Sequence, residues 1–114
     1  MDPRPLTQRE HAVLDALLAV EFEGVEDLRR QAAAVVVAGT CDCGCPSIDF
    51  YRGPYRGMEI RVNAAAPGPH DGLFLYTVED PGRGAILGGI EWVGGVDENP
   101  EQLPPPDQLV IRPA

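Results

Sequence analysis

The sequence predicts a single α+β domain: two N-terminal helices packed on one face of a four- to five-stranded, mainly antiparallel sheet, followed by a Pro-rich C-terminal tail. Three observations lead there. Up to Ala33 the apolar side chains recur at helical spacing, and from Ala34 onward they alternate or run together as β-branched residues. Asp80 to Gly84, between two of the later segments, suits a hairpin turn. A chain of 114 residues also suits one domain of ~100–150 residues, so residues 1–114 are read as a single unit.

Residues 1–6 form an N-terminal arm. Thr7-Gln8-Arg9-Glu10 has the form of a capping box, in which the Thr7 hydroxyl accepts from the Glu10 N–H and the Glu10 carboxylate from the Thr7 N–H. Val13, Leu14, Leu17 and Leu18 then share one stripe, with Arg9, Asp15 and Glu21 set for solvent, predicting a helix from about Thr7 to Val20. Gly24 suits its end, and Val25, Leu28 and Ala32 predict a shorter helix over 25–33.

Val35-Val36-Val37 reads as a strand ending at Gly39, and Ile48 and Phe50 alternate with Asp49 and Tyr51. Met58, Ile60 and Val62 alternate with Glu59, Arg61 and Asn63, the pattern of a half-buried strand. Leu73 to Val78 is apolar on both faces and reads as a central strand. Asp80-Pro81-Gly82-Arg83-Gly84 turns the chain into a further strand over Ile86 to Val93. Leu109-Val110-Ile111 adds a short edge. Residues 64–72 are too rich in Pro and Gly for a helix, and the segment 94–108, with Pro100, Pro104, Pro105 and Pro106, is expected to be extended and packed by few contacts.

Composition narrows the function. The chain has nine Arg, no Lys, 18 acidic residues and a net charge of -9. The missing Lys removes Schiff-base and phosphate-loop lysine chemistry. The acidic balance argues against nucleic acid and against an anionic membrane surface, and favours a basic protein as partner. Met1-Asp2-Pro3-Arg4-Pro5 lacks the charged-then-apolar pattern of a signal peptide, no apolar run approaches the ~18–20 residues of a membrane span, and three Cys cannot complete a disulfide framework. A reducing, cytoplasmic location follows as the expectation.

Cys41-Asp42-Cys43-Gly44-Cys45-Pro46 is the one local cluster with chemistry in it. Thiolates two residues apart in an extended chain point the same way, so Cys41, Cys43 and Cys45 could converge on a soft cation, Zn²⁺ or Cu(I), with His70 or Asp42 as a fourth ligand. Structural zinc sites usually combine two knuckles from separate places, and only one is present here. The cluster also reads as three small apolar groups lining a strand or turn, with Gly39 and Gly44 marking a bulge or bend, as a thiol-redox centre, or as a Cys41–Cys45 disulfide.

Other constellations are thin. Ser47 is the sole Ser and lies outside any G-x-S-x-G elbow, and no spacing supports a Cys–His dyad with His70. Glu21, Glu23, Glu26 and Asp27 read as a solvated helix end, and Arg52, Arg56 and Arg61 beside Tyr51 and Tyr55 as neutralising charges on a sheet face. Asp97, Glu98, Glu101 and Asp107, with no base among them, mark the surface expected to meet a basic partner.

Thr7-x-x-Glu10 with Val13-Leu14 and Leu17-Leu18, Phe22-x-Gly24, Leu28-Arg29-x-Gln31, Cys41-x-Cys43-Gly44-Cys45-Pro46-Ser47-Ile48 and Leu103-Pro104-Pro105-Pro106 resemble a group of short single-domain proteins of high-GC Gram-positive bacteria. The resemblance implies a single-domain architecture, and that group has no established activity. Helices followed by an antiparallel meander also resemble small bacterial immunity proteins, which neutralise toxins by binding them. The resulting expectation is a non-enzymatic protein-binding module without a cofactor; the alternative is a Zn or Cu(I) site or a thiol-redox protein built on Cys41, Cys43 and Cys45.

Overall fold

The computed structural model describes residues 2–94 and 99–114, which form two helices and one six-stranded sheet, antiparallel at every pairing. Helix α1 (Gln8–Leu18) starts at the predicted capping box: the Glu10 N–H donates to Thr7 Oγ1 at 3.1 Å and the Thr7 N–H to Glu10 Oε1 at 2.9 Å. Two donors that the first turn cannot satisfy itself are thereby paired. Arg4 grips the same carboxylate with both prongs of its guanidinium, at 2.8 and 3.0 Å. Helix α2 (Val25–Ala32) is entered through Gly24 at φ +88°. That left-handed backbone costs about 1–2 kcal/mol with a Cβ present. Gly24 therefore opens the second helix instead of closing the first, which has already ended at Leu18.

The strands are β1 (Gly39–Thr40), β2 (Ile48–Asp49), β3 (Met58–Ala65), β4 (Gly72–Asp80), β5 (Gly84–Val93) and β6 (Val110–Pro113), in the spatial order β1-β2-β5-β4-β3-β6. Six strands replace the expected four to five: β1 is too short to leave an alternation in the sequence, and β2 keeps only Ile48–Asp49 of the alternation over residues 48–51. The expected strand over Val35–Val37 shrinks to a single bridge. Val37 exchanges backbone hydrogen bonds with Arg4, at 2.8 and 3.0 Å, so the N-terminal arm occupies the groups a strand would need. Conversely, β3 runs on to Ala65, past the expected end at Asn63. Ala64 and Ala65 pair with β4 on one side and β6 on the other, and two ladders outweigh the weak strand preference of Ala.

Val13, Leu14 and Leu17 of α1, Val25 and Leu28 of α2, and Val62, Leu73, Leu75, Leu87 and Ile90 of the sheet belong to one buried core. The tail joins it. Leu103 is 1% exposed, and Arg9 Nη1 donates to the Leu103 carbonyl at 2.8 Å, so a segment expected to make few contacts is anchored on α1 before a 3-10 turn over Pro106–Gln108 leads into β6. The side-chain amide of Gln31 ties α2 to β5, accepting from the Leu87 N–H at 2.9 Å and donating to the Ala85 carbonyl at 3.2 Å. Among the described residues no helix is long and apolar enough to cross a membrane.

Candidate metal centre

Between β1 and β2 the chain must reverse direction, and the cysteines lie in that reversal. Gly44, at φ +88°, donates its N–H to the Cys41 carbonyl at 3.3 Å and closes a tight turn over Cys41–Gly44. Beyond it, Ile48 pairs with Ile90 of β5, fixing the turn against the sheet. The sulfurs converge through this turn rather than through the extended chain that the spacing implies. The three Sγ atoms all lie within 4.8 Å of one another. A metal ion with bonds of about 2.3 Å holds tetrahedrally placed sulfurs roughly 3.8 Å apart, so side-chain shifts of about 1 Å would complete the site.

Backbone donors already point at the sulfurs. The Cys43 N–H donates to Cys41 Sγ and the Cys45 N–H to Cys43 Sγ, each at 3.4 Å. Such bonds strengthen when the acceptor is ionised. Cys45 Sγ and Ser47 Oγ are a hydrogen-bonded pair at 3.3 Å. Ser47 is buried, and its oxygen accepts from the Trp92 N–H at 2.8 Å, which leaves the hydroxyl proton free to face a Cys45 thiolate. Ser47, just before β2, thus links the sulfur cluster to Trp92 of β5. It escaped the sequence reading of the site, although its place directly after Cys45-Pro46 was the available signal.

The thiols are unequal. Partial burial pushes the Cys45 thiol up, but hydrogen bonds from Ser47, Cys43 and Cys41 outweigh it and hold the group below the ordinary thiol range. The hydrogen bond with Cys43 pushes Cys41 up, against the Cys43 N–H, to about 11. The shared hydrogen bonds thus push Cys45 toward ionisation and Cys41 away from it. Cys41 and Cys43 are exposed and Cys45 is half-buried; all three are free. Small apolar groups packed into a core would be buried, so that reading of the cluster does not describe Cys41 and Cys43.

His70, the expected fourth ligand, sits exposed at φ +67° in the loop between β3 and β4, outside the sulfur group. Asp42 is exposed and also outside it. Among the described residues no His, Asp or Glu lies within 4.8 Å of all three sulfurs. Of the acidic residues assigned to partner binding, Glu101 and Asp107 are exposed in the tail, while Asp97 and Glu98 lie outside the described residues. Glu21 and Asp27 are engaged by Arg29 at 2.9 Å and Arg30 at 3.2 Å. Comparison with protein families, with curated proteins and with solved structures finds no match to this chain.

Proposed function

We propose that this chain binds a soft monovalent cation, Cu(I), through the three thiolates of Cys41, Cys43 and Cys45. The observation that carries this reading is the convergence of three sulfurs, two of them exposed, in a turn whose N–H groups point at sulfur. Thiolates select Cu(I), Zn²⁺ and iron–sulfur clusters among biological metals. Zn²⁺ takes four ligands and would need a water beside the three sulfurs, whereas Cu(I) is satisfied by two or three. The role is metal binding without catalysis, in a reducing cytoplasmic compartment that keeps three thiols free. The same reading sets both helices against the sheet face carrying Val62, Leu75 and Ile90, since their buried side chains share one core.

A second role, as an immunity-like module that binds a basic protein, is supported by the net charge of -9 and by exposed Glu101 and Asp107, which have no ion pair among the described residues.

The metal reading is tested with protein purified anaerobically without chelator and loaded separately with Cu(I) and Zn(II). One equivalent of Cu(I), retained against bathocuproine disulfonate with a thiolate-to-copper absorption band, is the expected result. Cys43→Ser should weaken retention by more than about 100-fold, because even losing an outer hydrogen bond to a ligand costs about 10- to 100-fold. Retention of Zn(II) but not Cu(I) would replace the metal. Less than about a tenth of an equivalent of either, with three titratable thiols in denaturant, would remove the site.

A further inference from the structure

The sheet has a second face, and its register places there a group of residues that no sequence motif brings together. Cross-strand partners set Asp49, Gly89, Tyr76 and Ile60 in one row across β2, β5, β4 and β3. The next row on the same face is Glu91, Phe74 and Asn63. Met58 and Val78 pair in the row beyond. These positions alternate with Val62, Leu73 and Leu75, which enter the core.

Glycine shapes this surface. A Cβ on Gly88 or Gly89 would fall within 2.7 Å of Tyr76 ring or hydroxyl atoms, so the Tyr76 ring lies down on bare backbone and its hydroxyl donates to Asp49 Oδ1 at 3.1 Å. Phe74 tilts against it, ring centres 6.1 Å apart. Ile60 and Met58 stay 38% and 49% exposed, large apolar side chains that the fold leaves in water.

Two carboxylates on this face lack an ion pair among the described residues. Asp49 and Glu91 each act on the Tyr76 hydroxyl, Asp49 also acts on Glu91, and neither carboxylate has a cation within ion-pair distance among the described residues. Arg61 pairs with Glu59 and bonds Thr77, and Arg112 is beyond Asn63 on β6; the Arg52 guanidinium lies over Gly39, the cross-strand partner of Asp49, without reaching ion-pair distance of either carboxylate.

We propose that this face docks a basic polypeptide, seating an Arg or Lys side chain between Asp49 and Glu91 over the Tyr76 ring, with the partner's apolar side chains on Ile60 and Met58. A guanidinium or ammonium meets both needs of the site, two carboxylates and an aromatic face. A second copy of this chain is the poorer occupant, since each copy carries a net charge of -9. The proposal is independent of the metal site, and it moves partner binding from the tail to the sheet.

The probe is the hexapeptide acetyl-(Arg-Leu)₃-amide, titrated into isotopically labelled protein and followed by NMR, with acetyl-(Glu-Leu)₃-amide as control. Expected are saturable shifts confined to the amides of residues 58–60, 74–76 and 89–91. Affinity should fall at least about tenfold in Asp49→Asn with Glu91→Gln, and as salt is raised. Shifts centred on Glu101 and Asp107, equal binding of the acidic peptide, no binding at millimolar peptide, or shifts that depend on protein concentration alone would each overturn it. The wild-type shift map suffices should the double variant fail to fold.

Discussion

Two polar networks of similar size differ in one respect. At the start of α1, Glu10 accepts from the Thr7 N–H and from both prongs of Arg4, so a buried anion has its backbone donor and its counter-ion supplied by the chain. In the turn between β1 and β2, Cys45 is easier to ionise than Cys41, and Cys41 and Cys43 accept from backbone N–H groups, but no Arg or Lys completes the group among the described residues. The first network closes on itself and stabilises the fold. The second is left short of a cation, and that is what separates a cap from a binding site. Asp49 and Glu91 on the sheet fall on the side of the cysteines.

The widest test of this contrast is the pH dependence of metal affinity. Cys41, held up at about 11, must give up its proton to bind Cu(I). Cu(I) affinity should therefore rise at least about tenfold per pH unit between pH 6 and 8, measured by chelator competition. A flat profile would mean that the sulfurs are not the ligands.

Next in size is Glu10. Burial pushes its carboxyl up, but Arg4 and the Thr7 N–H outweigh it and hold the group below its ordinary value. Such a group stabilises the fold above the unfolded-state value and loses that contribution as pH falls through the folded one. Glu10→Gln should cost about 1–2 kcal/mol at pH 7 by denaturant unfolding, with the gap to wild type closing at pH 3. An equal gap at both values would make the network a matter of packing alone.

The smallest effect has the opposite sign. Glu91 is pushed up by burial and then by Asp49, so its ionised form is disfavoured on folding and stability declines as pH rises through the folded value. Glu91→Gln should raise stability by about 0.5 kcal/mol at pH 7. A loss of stability would reveal a resident cation and place Glu91 with Glu10.

The legibility of the chain follows from how local each feature is. The capping box could be read because its partners are three residues apart and their chemistry is fixed by type. The long strands could be read because β3, β4 and β5 span whole alternating or apolar runs, whereas β1, two residues long, exists only through its pairing with β2, and β2 owes its place in the sheet to β5, far along the chain. The cysteines were legible as residues but not as a geometry, since the turn at Gly44 brings the sulfurs together. The outer face could not be read at all. It depends on register across four strands and on two irregularities, at Arg61 and at Gly88, each of which shifts every later side chain by one position.

The Gln31 amide has a consequence of another kind. Past Phe50, whose N–H donates to the Gly88 carbonyl, β2 no longer accompanies β5, and the Ala85 carbonyl and Leu87 N–H on that margin have no strand beside them. Gln31 donates to one and accepts from the other, so a single side chain stands in for the missing strand. Open margins of this kind recruit strands from other molecules and seed aggregates. By spending one amide of α2 there, the chain shields its longest strand from self-association.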